Sequence, residues 1–199
     1  MDTRKAEIAA TAARIVVEEG VEYGAAKRRA VKQLGLGNRA ALPGNDEIEA
    51  AVREYIELYA MDTQPAELAA LRGLALDWME RTAPFRPYLC GAVWRGTATR
   101  RSDIYLQLFC DDSKSAEIAL IDAQVAYRPS TVLGFNGALT EALSVQAWCA
   151  ALQEHVGVHL LVHDHDEVRG ALKPDAQGRP SRGKLAAVRQ LVHDPRLRS

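Results

Sequence analysis

Apolar positions recur at helical spacing through the first eighty residues, then give way to short alternating runs. Ile8, Ala12, Ile15 and Val16 share one face and predict a helix over residues 3 to 19, which Gly20 stops. Residues 23 to 34 predict a second helix, strongly basic through Lys27, Arg28, Arg29 and Lys32 and ended by Gly35 and Gly37. A third, over 46 to 60, gathers Ile48, Val52, Tyr55, Ile56 and Tyr59 on one side. A fourth opens at Gln64-Pro65, carries Leu68, Leu71, Leu74, Leu76, Trp78 and Met79, and ends before Pro84 and Pro87.

Beyond that point the period shortens. RPYLCGAVW, IYLQLFC, VAYRP, ALSVQAW and GVHLLVH are strand-like runs, rich in β-branched or aromatic residues and parted by turn signals. Residues 88 to 93 and 103 to 110 are expected to be neighbouring strands of one sheet. SKSAEIALIDAQ reads as a short helix between strands, and GKLAAVRQLV as a terminal helix. The expected fold is α+β: an N-terminal helical bundle over residues 1 to 62, then a small mixed sheet flanked by helices over 63 to 199.

Composition narrows the function classes. The 199 residues are 48% apolar and 26% charged, with a formal net charge of -1. Such a balance gives no global attraction to nucleic acid or membrane. No apolar run approaches the ~20 residues of a membrane span. The first twenty residues carry charges throughout and lack the apolar core of a signal peptide. Cys90, Cys110 and Cys149 are odd in number and far apart, as expected of free thiols in a cytoplasmic protein.

Candidate chemistry concentrates in residues 91 to 109, GAVWRGTATRRSDIYLQLF. A loop of small residues lets backbone N–H groups approach a phosphate. Arg95, Arg100 and Arg101 add charge, and Thr97 and Ser102 add hydroxyls. Asp103 opens a strand, a rigid place from which to hold a hard cation such as Mg²⁺. Asp103, Tyr105 and Gln107 then share one strand face, opposite Ile104, Leu106 and Leu108.

Gly91, Arg95, Gly96, Ser102 and Asp103 resemble the signature of the DNA polymerase β-like nucleotidyltransferase superfamily. In that signature an apolar strand ends in Gly-Ser or Gly-Gly, and a loop with Arg and Ser follows. A second strand then carries two acids, one residue apart, that hold Mg²⁺. The resemblance covers residues 65 to 165. It implies a nucleotide ligand at Gly91, Arg95, Gly96, Thr97, Arg100, Arg101 and Ser102, with Asp103 as catalytic and metal-binding acid. The sequence departs from the pattern at Ala92, which follows Gly91, and at Tyr105, which stands where the second acid belongs. It also lacks an acid inside ALSVQAW, where Glu141 only precedes the strand. Two-metal transfer needs several carboxylates. The expectation is therefore a nucleotide- or phosphate-binding protein with a degenerate metal site, short of a full catalytic set.

Other features compete. GRPSRGK, residues 178 to 184, has Walker A glycine and lysine spacing, but Leu185 follows where Ser or Thr is required. From Arg169 onward there are eight Lys/Arg and two Asp, a basic segment that suits a phosphate, nucleic-acid or protein partner. His159, His163 and His165 would share a strand face, though the span of ~20 Å is too long for one ion to collect all three. The basic helix 23 to 34 raises a DNA-binding regulator of the TetR type as the alternative. Against it stand the acidic third helix, with Glu47, Glu49, Glu54 and Glu57, and the strands that follow.

Overall fold

The structure, a computed structural model, describes residues 3–37, 40–135, 137–172 and 178–194. It is an α+β protein whose chain divides into two units. The first unit holds Met1–Glu67 together with Thr97–Ser102, and the second holds Leu68–Gly96 and Asp103–Ser199.

Three helices build the first unit: α1 (Thr3–Glu19), α2 (Tyr23–Gln33) and α3 (Asn45–Tyr59). Their apolar stripes meet in one core, where Ile8, Ala12, Ile15, Ala26, Ala30, Ile48 and Val52 are buried. At the start of α3, Glu47 accepts from the Gly44 N–H at 2.6 Å, which satisfies one of the orphan donors of a helix end. The segment 97–102 closes this unit from a distance in sequence. Thr99 Oγ1 donates to the Val17 carbonyl at 3.2 Å, and Gln64 Nε2 donates to the Ala98 carbonyl at 2.8 Å. Gly20, at φ +69°, leaves room for the Arg101 carbonyl, which a Cβ would strike.

The second unit is built on a mixed six-stranded sheet in the order β3-β4-β5-β2-β1-β6. The strands are β1 (Tyr88–Cys90), β2 (Ile104–Cys110), β3 (Arg128–Leu133), β4 (Leu139–Cys149), β5 (Glu154–Asp164) and β6 (Arg182–Lys184). Only β2 and β5 run parallel to each other; the other pairs are antiparallel. Alternation gives the sheet two unlike faces. Leu89, Ile104, Leu106, Leu108, Leu143, Val158 and Leu160 are buried on the apolar one. Helix α4 (Gln64–Arg81), whose residues from Leu68 on belong to this unit, and α6 (Ser115–Asp122) cover that face. Trp78 and Thr82 meet Ala116, Leu120, Leu108 and Leu160 around an apolar cavity of about 390 Å³. A short helix, α7 (Val168–Ala171), and a terminal one, α8 (Leu185–His193), complete the unit.

The paired strands expected over 88 to 93 and 103 to 110 are present, but shorter. Tyr88, Leu89 and Cys90 face Gln107, Leu106 and Tyr105. At Gly91, φ +71°, the chain turns into a five-residue helix, α5 (Gly91–Arg95), where strand and open loop were expected. Packing explains the turn. Arg72 Nε donates to the Val93 carbonyl at 3.2 Å, and Trp94 lies against Gly183 and donates to the Pro180 carbonyl at 2.8 Å. The strand read at VAYRP starts later, at Arg128. Val125 is spent on the end of α6, its N–H bonding the Leu120 carbonyl at 2.9 Å while Gln124 takes φ +54°. GRPSRGK ends in β6, which pairs with β1.

Candidate functional site on the polar face of the sheet

Six residues from six strands stand in one row. Arg128 faces Ser144, Ser144 faces His159, His159 faces Tyr105, Tyr105 faces Cys90, and Cys90 faces Arg182. Residues opposite one another in a ladder leave the sheet on the same side. The face away from α4 and α6 is therefore the one that carries these polar residues, and Tyr105 and Gln107 share it.

Asp103 immediately precedes β2, and its carboxylate turns toward β5. Oδ1 accepts from the Gly157 N–H at 3.2 Å, and Oδ2 lies 3.0 Å from His159 Nε2. Gly157 permits this, because a Cβ there would lie 2.5 Å from Oδ1 and 2.7 Å from Cγ. The other ring nitrogen of His159, Nδ1, lies 2.8 Å from Ser144 Oγ. Tyr105 stacks on the imidazole, with centroids 4.8 Å apart and planes 25° apart. Tyr105 thus packs against the same histidine that engages Asp103.

These contacts decide the fit of Mg²⁺ at Asp103. Both carboxylate oxygens are engaged, one by a backbone donor and one by an imidazole. Glu141 faces Val162, on the apolar side of the sheet, and is held by Lys114 at 3.0 Å. Asp122 ends α6, which covers that same side. Among the described residues no group of three or more His, Cys, Asp or Glu is placed to share a metal ion. The donor set is that of a hydrogen-bonded carboxylate, and Mg²⁺, which demands near-octahedral oxygen ligation, does not fit it. The histidine triplet separates as well. His163 stays on β5, with Nδ1 2.9 Å from Glu167 Oε2. His165 leaves the strand, because Asp164 accepts from the Asp166 N–H at 2.9 Å and starts a 3₁₀ turn.

The arginine loop is divided between the two units. Gly91, Arg95 and Gly96 belong to the second, with Gly96 at φ +81° ending α5. Thr97, Arg100, Arg101 and Ser102 belong to the first. There three of the loop's N–H groups are already bonded within the protein. Thr99 N–H donates to Ser102 Oγ at 3.1 Å, Ser102 N–H to the Thr99 carbonyl at 2.8 Å, and Arg100 N–H to Glu67 at 2.9 Å. Thr97 is buried, and the Arg100 and Arg101 side chains are exposed. In the basic helix, Arg29 pairs with Glu19 at 2.8 Å and Lys27 donates to Asn45 at 2.8 Å.

Three residues that the motif does not include stand out on the polar face. Arg182 on β6 has Nε and Nη1 buried with no hydrogen-bond partner, and so do Gln107 Oε1 on β2 and His163 Nε2 on β5. Gln107 and His163 are buried residues. Phe135 lies against both Arg182, 4.8 Å from its Cζ, and His163, 4.9 Å between rings. Burial holds the Arg182 guanidinium below its usual range; Cys90 opposes that and Arg95 reinforces it. Burial also pushes the His163 ring pKa down, against the upward pull of Glu167. The sequence signal for Arg182 was the basic tract around GRPSRGK. Much of that segment, residues 173–177 and 195–199, lies outside the described residues.

No protein-family model matches the chain, and no curated protein and no solved structure is significantly similar to it.

Proposed function

We propose that the second unit binds a phosphate-bearing ligand, such as a nucleotide, on the polar face of its sheet. The reading rests on one observation: Arg182, Gln107 and His163 present buried polar atoms without partners on one sheet face. Two guanidinium nitrogens, Nε and Nη1 of Arg182, buried without an acceptor are costly, and an anion removes that cost. The planar fork of arginine suits two phosphate oxygens at once. Arg95 adds positive charge nearby.

Elements of the nucleotidyltransferase-like pattern support the choice of phosphate. Strand β1 ends at Cys90, just before Gly91, β2 follows Asp103, and α4 and α6 precede and follow them. The two-metal transfer of that superfamily is not part of this reading, because Asp103 is committed to His159 and Gly157.

Calorimetry with a nucleoside triphosphate and with inorganic phosphate tests the proposal. Arg182→Gln should weaken binding roughly ten- to hundred-fold, the loss of one charge-assisted contact. EDTA should leave binding unchanged. Binding that ignores Arg182→Gln, or that EDTA abolishes, overturns it.

A further inference from the structure

The Asp103–His159–Ser144 chain has a direction. A carboxylate only accepts, so the hydrogen of the neutral imidazole sits on Nε2, 3.0 Å from Asp103 Oδ2. That leaves Nδ1 as an acceptor, 2.8 Å from Ser144 Oγ. The ring is fixed by the Tyr105 stack, and the carboxylate by the Gly157 N–H. His159 keeps 22% of its side chain exposed and Asp103 keeps 46%, so the chain opens to solvent and is not a sealed core network. A hydroxyl, a base and an orienting acid in hydrogen-bond contact are what an activated serine requires.

We infer that Ser144 is a nucleophile for acyl transfer, with His159 as general base, Asp103 as its positioning residue, and a carboxylic ester as the substrate class. In the first step Ser144 Oγ bonds the ester carbonyl carbon and its proton passes to His159 Nδ1. The carbonyl electron pair moves onto oxygen. Its return breaks the bond to the alcohol, which leaves with the Nδ1 proton. Water then attacks the acyl-serine, gives its proton to Nδ1, and releases the acid while Ser144 regains its hydrogen. Arg128, opposite Ser144 on β3, shares its sheet face and is a positive charge available to an oxyanion formed there. Ser144 and Arg182 lie four strand spacings apart, about 19 Å. The inference therefore stands or falls separately from phosphate binding.

The test is labelling of the intact chain with a fluorophosphonate, followed by intact mass and peptide mapping, with p-nitrophenyl acetate hydrolysis measured in parallel. The expected result is one adduct, on Ser144, and ester hydrolysis that Ser144→Ala abolishes. His159→Gln should slow labelling at least about hundred-fold, the usual contribution of a general base. Asp103→Asn should slow it while leaving the circular-dichroism spectrum unchanged. Wild-type protein that gains no adduct on Ser144 overturns the inference without any variant having to fold. So does an adduct whose rate His159→Gln leaves intact.

Discussion

Replacing Gly157 with alanine isolates the contact on which the Asp103–His159 pair depends. The new methyl would lie 2.5 Å from Asp103 Oδ1, 2.7 Å from Cγ and 3.0 Å from Oδ2. Ordinary contact needs ~3.5 Å, so the carboxylate has to withdraw by about 1 Å. A 3.2 Å bond to the Gly157 N–H and a 3.0 Å bond to His159 then stretch to about 4 Å, beyond hydrogen bonding. Losing such charge-assisted bonds costs about 1.5 to 3 kcal/mol, nearer the lower figure for a carboxylate this exposed. Alanine recovers about 0.5 to 1 kcal/mol of backbone entropy. The net expectation is a loss of about 1 kcal/mol, read in urea as a lower midpoint at unchanged slope. A double-mutant cycle supplies the decisive comparison. In an Asp103→Ala background the methyl meets no carboxylate, so Gly157→Ala should become neutral or stabilising. If the two changes simply add, the glycine is not there to seat the acid and the reasoning fails.

Other expectations concern different contacts. Gly183→Ala puts a methyl into the Trp94 ring; it should destabilise the chain by about 1 to 3 kcal/mol and red-shift tryptophan emission. The Glu18 hydrogen bond, with burial adding to it, pushes the Tyr55 pKa up to about 12. Its contribution to stability is present below the ordinary tyrosine value of 10 and is lost as pH rises through about 12. Phenolate absorbance should therefore show late-titrating tyrosine that Glu18→Gln shifts in part to lower pH, the Tyr127 phenol, raised by its own bond to Glu117, staying late. His163 has a lowered pKa through burial, opposed by Glu167, with Arg182 lowering it further. Its contribution is present above the ordinary value of 6.5 and is lost as pH falls toward the folded value, so His163→Phe should flatten the acid limb of a stability-against-pH curve. An anion on Arg182 favours the charged His163 ring, so phosphate binding should take up a proton, measured by calorimetry in buffers of different ionisation heat.

The helices and the β1–β2 pairing were legible because each depends on local periodicity. Ile8, Ala12 and Ile15 need no distant partner to announce a helix face, and the alternation of IYLQLFC states which side of β2 is buried. The site was legible only in part. Asp103 was marked by its place before a strand, but its partners come from β5, more than fifty residues on, through a parallel pairing that no local pattern encodes. The even spacing of Gly157, His159 and His163 was visible, yet nothing in it says that the glycine makes room for an acid. Arg182 was hidden because GRPSRGK invited comparison with a phosphate loop, whereas the fold uses it as an edge strand.

Segment 97–102 has a consequence for how the protein is made. The three helices of the first unit leave the ribosome early, but the Val17 carbonyl and Gln64 wait for residues 98 and 99. A nascent chain of 67 residues thus holds all three helices of that unit and still lacks the piece that completes it. By the time residue 102 emerges, β1 and α5 of the second unit have already been synthesised. The first unit cannot be completed until residues 97–102 are made, and a ribosome-release experiment should place the first protease-resistant intermediate after residue 102 and not after residue 67.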